Sequence, residues 1–270
     1  MRGGESMSQE LQHHGIKGQK WGVRRFQNKD GSLTPEGEKR YYVESDKKII
    51  DNDDKSSTIP KGYKFNRIGQ ASLDVNQSGA LYVSSGKADV TRYMRALGPT
   101  PIGKLLGTAA TTIQHIEVKE DLKIPSNKET TRLTNELLMK NPGLTKTVND
   151  SFHAMVLGKE IDNKLLNEIN KNPDSKDAQK VAFVVSAVLG DANYKNEARM
   201  VYNHFRQNGY DAIPDLNDLM TGTSETSKII INPNKLEVTS TTAITKDLMK
   251  EGKRYLKTLA DLPCSELFDD

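Results

Sequence analysis

Two stretches decide the reading of this chain: residues 63–69, Tyr63-Lys64-Phe65-Asn66-Arg67-Ile68-Gly69, and residues 79–85, Gly79-Ala80-Leu81-Tyr82-Val83-Ser84-Ser85. In the first, Tyr63, Phe65 and Arg67 alternate with Lys64, Asn66 and Ile68, the two-residue period of a strand, and Ile59-Pro60-Lys61-Gly62 supplies a turn before it. The second is a short β-forming run and reads as another strand. Residues 87–97 then read as a helix. Residues 111–118 read as a strand carrying Ile113, His115 and Glu117 on one face. The folded domain is expected to begin at residue 59.

Outward from this point the chain turns helical. Residues 121–125 read as a turn-like exit. Ser126 can cap a helix running through Lys140, stopped by Asn141-Pro142-Gly143, with Leu133, Leu137 and Leu138 as its apolar stripe. Further helices are expected over 147–157, 163–170, 176–189 and 197–207. The third of these holds Val181-Ala182-Phe183-Val184-Val185-Ser186-Ala187-Val188-Leu189, apolar nearly all round and therefore expected to be buried. Strands return at 211–213, 228–231 and 236–241, and 246–259 reads as a charged helix before an acidic tail. The expected fold is α+β: a split, mainly antiparallel sheet in a domain spanning 59–243, a helical insertion at 126–208, and a carboxy-terminal helix and tail at 244–270.

The first 58 residues read differently. His13-His14-Gly15-Ile16-Lys17-Gly18-Gln19-Lys20-Trp21-Gly22-Val23-Arg24-Arg25-Phe26 holds the chain's only tryptophan and three glycines. Glycines at that density disfavour a helix. A glycine-punctuated loop displaying Trp21, Phe26, Arg24 and Arg25 has the residue types that concentrate binding energy. Thr34-Pro35-Glu36-Gly37-Glu38 can open a short helix, and residues 46–57 are polar and aperiodic, as in a linker. Residues 1–58 are therefore expected to be a flexible arm and linker.

Composition removes several functions. With 39 basic and 36 acidic residues in 270, a net charge of +3 is too balanced for the whole chain to sheathe nucleic acid, and a specific nucleic-acid partner is not expected. A single cysteine, Cys264, excludes an intramolecular disulfide framework and fits a reducing compartment. Neither a membrane-length apolar run nor the apolar region of a secretory signal is present, so no membrane partner and a cytoplasmic origin are expected. His13-His14 lacks spaced partners, so no metal site is expected. His115, His153 and His204 have no visible nucleophile partner.

Chemistry is expected where strands end, at Arg67, Tyr82 and Ser84, and at the acidic turn Asp211-Ala212-Ile213-Pro214-Asp215-Leu216-Asn217-Asp218. Across residues 60–240 this arrangement resembles the ADP-ribosyltransferase superfamily. Residues 65–69 resemble its first-strand arginine element, and residues 79–85, with Ala88, Asp89 and Tyr93 downstream, resemble its second. The resemblance implies the split sheet of that superfamily, NAD as substrate, and a site built from Arg67, Tyr82, Ser84, Tyr93, Asp215, Asn217 and Asp218. The residue types suit such a site. A guanidinium at Arg67 can grip a pyrophosphate or ribose oxygen with two donors, Tyr82 can stack on a nicotinamide ring, and Ser84 can steady the local backbone. A carboxylate, Asp215 first and Asp218 second, can stabilise oxocarbenium-like charge. The Gln/Glu-x-Glu pattern of arginine-modifying members is not present, because Glu225 stands alone in Gly222-Thr223-Ser224-Glu225-Thr226. Each residue also has a plain structural reading: Arg67 in a surface ion pair, Tyr82 in the core, Asp215 in an Asx-type turn.

The amino-terminal motif, continued by Asp30-Gly31-Ser32-Leu33-Thr34-Pro35 and Lys39-Arg40-Tyr41, resembles one in head-associated and minor structural proteins of tailed phages of Gram-positive bacteria. The two resemblances together imply a phage ADP-ribosyltransferase-like effector, in the virion or the host bacterial cytoplasm. Residues 13–26 would contact a phage head or other virion protein, and a host protein would be the acceptor. The alternatives are a non-catalytic head or minor structural protein and a nucleotide- or host-factor-binding module without turnover.

Overall fold

A computed structural model describes residues 34–69, 79–98, 110–221 and 226–260. The arm motif at 13–26, Glu225 and the acidic tail with Cys264 lie outside these residues. The fold is α+β, with three small antiparallel sheets and a helical block between the sixth and seventh strands.

The first sheet joins β1 (Ile50–Asp51), β2 (Ser56–Ile59) and β6 (Leu122–Pro125). Two expectations are corrected here. Residues 46–57, read as linker, carry both β1 and part of β2, and residues 121–125, read as a turn, supply β6, paired from Ser56↔Pro125 to Ile59↔Leu122. The linker reading rested on missing periodicity, and only Ser56 and Ile59 of β2 are buried. The turn before β2 is made by the Asp53 carboxylate, which accepts the Lys55 and Ser56 amides at 2.9 and 2.7 Å. In β6, Leu122 and Ile124 are buried while Lys123 is exposed, a two-residue alternation too short to stand out.

The second sheet joins β3 (Lys64–Gly69), β5 (Thr112–Val118) and β9 (Leu236–Ala243). A bulge at His115/Ile116 interrupts the pairing of β5 with β9. The extra residue, Thr239, is on β9; the expected one-faced alternation of β5 fails because this central strand is buried on both faces from Ile113 to Ile116, while Glu117 is half-buried. The third sheet joins β4 (Leu81–Val83), β8 (Lys228–Ile230) and β7 (Ala212–Pro214). Both its faces are covered. Leu81, Val83, Ala212 and Ile230 pack with Phe65, Ile116 and Leu122, while Ala80, Ile213, Ile229 and Ile231 pack into the helices. An antiparallel bridge, Asn66↔Ser84, links the second and third sheets.

The helices follow from their caps and stripes. α1 (Pro35–Tyr41) precedes the sheets, and α2 (Lys87–Leu97) runs over the span expected from the sequence. Ser126 accepts the Glu129 amide to start α3 (Asn127–Lys140), and Ser175 accepts that of Ala178 to start α6 (Lys176–Gly190). Between them lie α4 (Pro142–Asp150) and α5 (Asn163–Lys171), and α7 (Lys195–Gln207) follows. The expected helix at 147–157 is corrected. Pro142 does not merely stop α3; with its fixed φ and missing N–H it opens α4, and a 3-10 turn at Phe152–Val156 follows. α8 (Leu216–Thr221) leaves β7, and α9 (Lys246–Ala260) closes the described chain.

α9 lies against α2 at Gly252, where an added Cβ would come within 2.7 Å of Met94 Cε and 2.8 Å of Thr91 Cγ2. At the start of α2, the Lys87 ammonium sits 4.2 Å from the Tyr255 ring centre and 5.4 Å from that of Tyr42.

Candidate functional site

Where the second and third sheets meet the helices there is a cavity of about 260 Å³. Its lining includes Arg67, Tyr82, Ser84, Tyr93, Asp215, Asn217 and Asp218, so all the site residues expected from the sequence are brought together.

β3 and β4 build one wall. In the antiparallel register Arg67 lies opposite Gln114, and its guanidinium donates to Gln114 Oε1 at 2.8 Å. The neighbouring pair is Asn66 opposite His115. Asn66 is clamped to the backbone of Val43, accepting its amide at 3.1 Å and donating to its carbonyl at 2.7 Å. That clamp fixes which amide atom is oxygen, so His115 must donate from Nδ1 to Asn66 Oδ1, 3.0 Å away. Asn66 and Ser84 then exchange two backbone hydrogen bonds of 2.7 and 3.0 Å, which hold Ser84 beside the arginine strand.

Tyr82 points to the helical side of the third sheet. Its hydroxyl is 3.3 Å from that of the fully buried Tyr202 on α7, and burial, with Tyr202 next to it, pushes its ionisation far up. It is a neutral aromatic wall at any physiological pH.

The acidic side is built by β7, α8 and β8. Pro214 ends β7, and Asp215 follows as the residue that caps α8: its Oδ1 accepts the Asp218 amide at 3.3 Å. Asp215 is thus a helix cap rather than an Asx turn, since the Asn217 amide two residues on goes to Ser186 Oγ, and the same carboxylate also lines the cavity. It is buried, at 3% exposure, and is held by two further donors. Ser186 Oγ donates to Oδ1 at 3.3 Å and Ser227 Oγ to Oδ2 at 3.2 Å. Burial first, and the Asp218 charge second, push the Asp215 carboxyl up to about 6, against the pull of these hydrogen bonds. Asp218 accepts hydrogen bonds from the Tyr93 hydroxyl and, at 3.4 Å, from Asn217 Nδ2. Tyr93, whose hydroxyl also lies 3.2 Å from Ser227 Oγ, has its ionisation pushed up by burial and by Asp218. Lys228 is held between the Thr226 and Ser227 carbonyls at 3.2 Å each, and burial lowers its pKa.

Sequence reasoning missed the residues that hold the site residues in place. Ser186 is the one polar residue of the apolar run 181–189, and that interruption was the available signal. Asn66, Gln114 and Ser227 carried no comparable mark. Asp89 was noted only as part of a motif. It is buried and accepts from the Thr226 amide at 3.0 Å and hydroxyl at 2.6 Å, pinning the segment before β8 to α2.

Among the described residues no group of three or more His, Cys, Asp or Glu side chains is placed to hold a metal ion, and no helix is long and apolar enough to cross a membrane. In sequence comparison, a family of unknown function (DUF7211) matches residues 4–28, a span that contains the His13–Phe26 motif. No curated protein and no solved structure matches the chain.

Proposed function

We propose that the cavity is the NAD site of an ADP-ribosyltransferase-like phage effector that modifies a host protein, and that the segment around Trp21 addresses it to a virion protein. One observation carries this reading. A guanidinium, two tyrosine rings and two carboxylates, spread from Arg67 to Asp218 along the sequence, converge on one concave site with a perturbed acid.

The chemistry follows from the residues. Arg67 meets a phosphate or ribose oxygen, and Tyr82 and Tyr93 face the flat nicotinamide. Asp215, ionised above pH 6, lies where positive charge develops on the ribose as the nicotinamide bond breaks. At about 260 Å³ the cavity suits part of the dinucleotide, and on this reading the nicotinamide–ribose end lies beside Tyr82 and Asp215.

The test is incubation of the protein with labelled NAD and host lysate. Transfer of label that is lost in Arg67→Ala and reduced on the order of 100-fold in Asp215→Asn supports the reading. Asparagine is preferred to alanine because it keeps the cap on α8. No label transfer and no nicotinamide release by the parent protein sinks it.

A second reading, a binding module or structural protein without turnover, is favoured by one feature. Tyr202 already engages the Tyr82 hydroxyl and Tyr93 already engages Asp218, so the site is partly closed by its own hydrogen bonds. Saturable NAD binding by calorimetry without nicotinamide release points to it.

A further inference from the structure

We propose that Ser186, on α6 of the helical insertion, is a positioning residue that fixes the Asp215 carboxylate in the cavity, so that the insertion is part of the site. The inference rests on Asp215 being the working acid of the preceding section.

Ser and Thr inside helices tend to donate to the carbonyl four residues back. Thr91, Thr130, Thr131 and Thr147 all do so here, to Lys87, Ser126, Asn127 and Gly143 at 2.8, 2.8, 3.0 and 3.1 Å. Ser186 instead turns outward and gives its one hydrogen to Asp215 Oδ1 at 3.3 Å. Its oxygen accepts the Asn217 amide at 3.1 Å. The hydroxyl therefore holds both the acid and the first turn of the helix that the acid caps. It is itself buried, at 6% exposure, in a run that is otherwise apolar from Val181 to Leu189, where an unneeded polar atom would cost stability.

The carboxylate it holds is faced by few other groups. Asp218 on α8 repels its charge, Ser227 donates from just before β8, and Lys228 on that strand, Tyr93 on α2 and Tyr82 on β4 stand around it. Asp218 and Ser227 supply opposing influences on ionisation. Ser186 is the donor that comes from the insertion.

The experiment is a carbon-13 NMR titration of the Asp215 side-chain carboxyl in protein labelled at aspartate, with the signal assigned from Asp215→Asn. Ser186→Ala should raise the Asp215 midpoint by about one pH unit, because a hydrogen bond to the charged form is lost. Ser186→Thr, which keeps the hydroxyl, should restore it. Val184→Ala is the structural control. It removes buried volume from the same helix two residues away, on another side of the turn, and should leave the midpoint in place. An unmoved midpoint in Ser186→Ala, or an equal movement in Val184→Ala, overturns the positioning role.

Activity provides a separate readout. If the parent protein turns over NAD, Ser186→Ala should shift the pH profile of kcat by the same amount and leave KM within about twofold. A parent without turnover defeats the function proposed above, while the titration still decides the role of Ser186.

Discussion

At Asp215 the competing forces can be ranked. Removing a carboxylate from water and placing Asp218 nearby both favour its neutral form; two serine hydroxyls and a backbone amide favour the charged one. The first pair wins, because the pKa rises from 3.8 to about 6. The folded state then binds a proton more tightly than the unfolded chain. The resulting stabilisation is fully present below pH 3.8 and is lost as pH rises through 6. Asp215→Asn should therefore raise stability at pH 7.5 by about 1–3 kcal/mol, and by little at pH 4, in denaturant titrations at the two pH values. A variant no more stable at pH 7.5 than at pH 4, relative to the parent, contradicts the raised pKa. Arg67, Tyr82, Ser84, Asp215 and Asp218 were legible because strand ends and acidic turns are where side chains converge on concave surfaces. Their partners were not. Gln114 and Tyr202 become neighbours of Arg67 and Tyr82 only through strand register and helix docking, which no local pattern encodes.

Among the elements, those with strong local signals formed as read. α2 and α3 carry an apolar stripe and α6 is apolar nearly all round, and in α3 and α6 a serine side chain caps the first turn. Apart from the helix expected at 147–157, which Pro142 shifts toward the amino terminus, the misreadings were short. β1, β2 and β6 have two to four residues each, and their stability comes from pairing, locally between β1 and β2 and across a long sequence separation between β2 and β6. Packing between elements is most exacting at Gly252, where α9 meets Thr91 and Met94 with no room for a side chain. Gly252→Ala gains helix propensity of about 1 kcal/mol but forces apart a close contact whose relief costs about 1–3 kcal/mol. The net expectation is a lowered Tm in calorimetry. A raised Tm means that Met94 moves aside freely.

For the whole molecule, the domain boundary moves toward the amino terminus. Tyr42 is buried, Val43 is clamped by Asn66, and β1 and β2 complete a sheet, so residues 42–58 belong to the folded body. Deleting residues 1–58 should cost roughly 3 kcal/mol or more relative to deleting 1–33, a loss on the order of 10 °C in Tm. Equal melting temperatures for the two truncations would restore the linker reading. The insertion is likewise not a separate lobe, because Tyr202, Ser186 and Gly190 bring it to the cavity.

The Lys87 ammonium, between the rings of Tyr42 and Tyr255, ties the two flanks of the fold to one helix. Tyr42, from the segment that precedes the sheets, and Tyr255, on the last helix of the described chain, both lie against the first turn of α2. That same helix, about two turns later, presents Tyr93 to the acidic wall of the cavity. The two flanks of the described chain thus meet on the helix whose Tyr93 hydroxyl donates to Asp218.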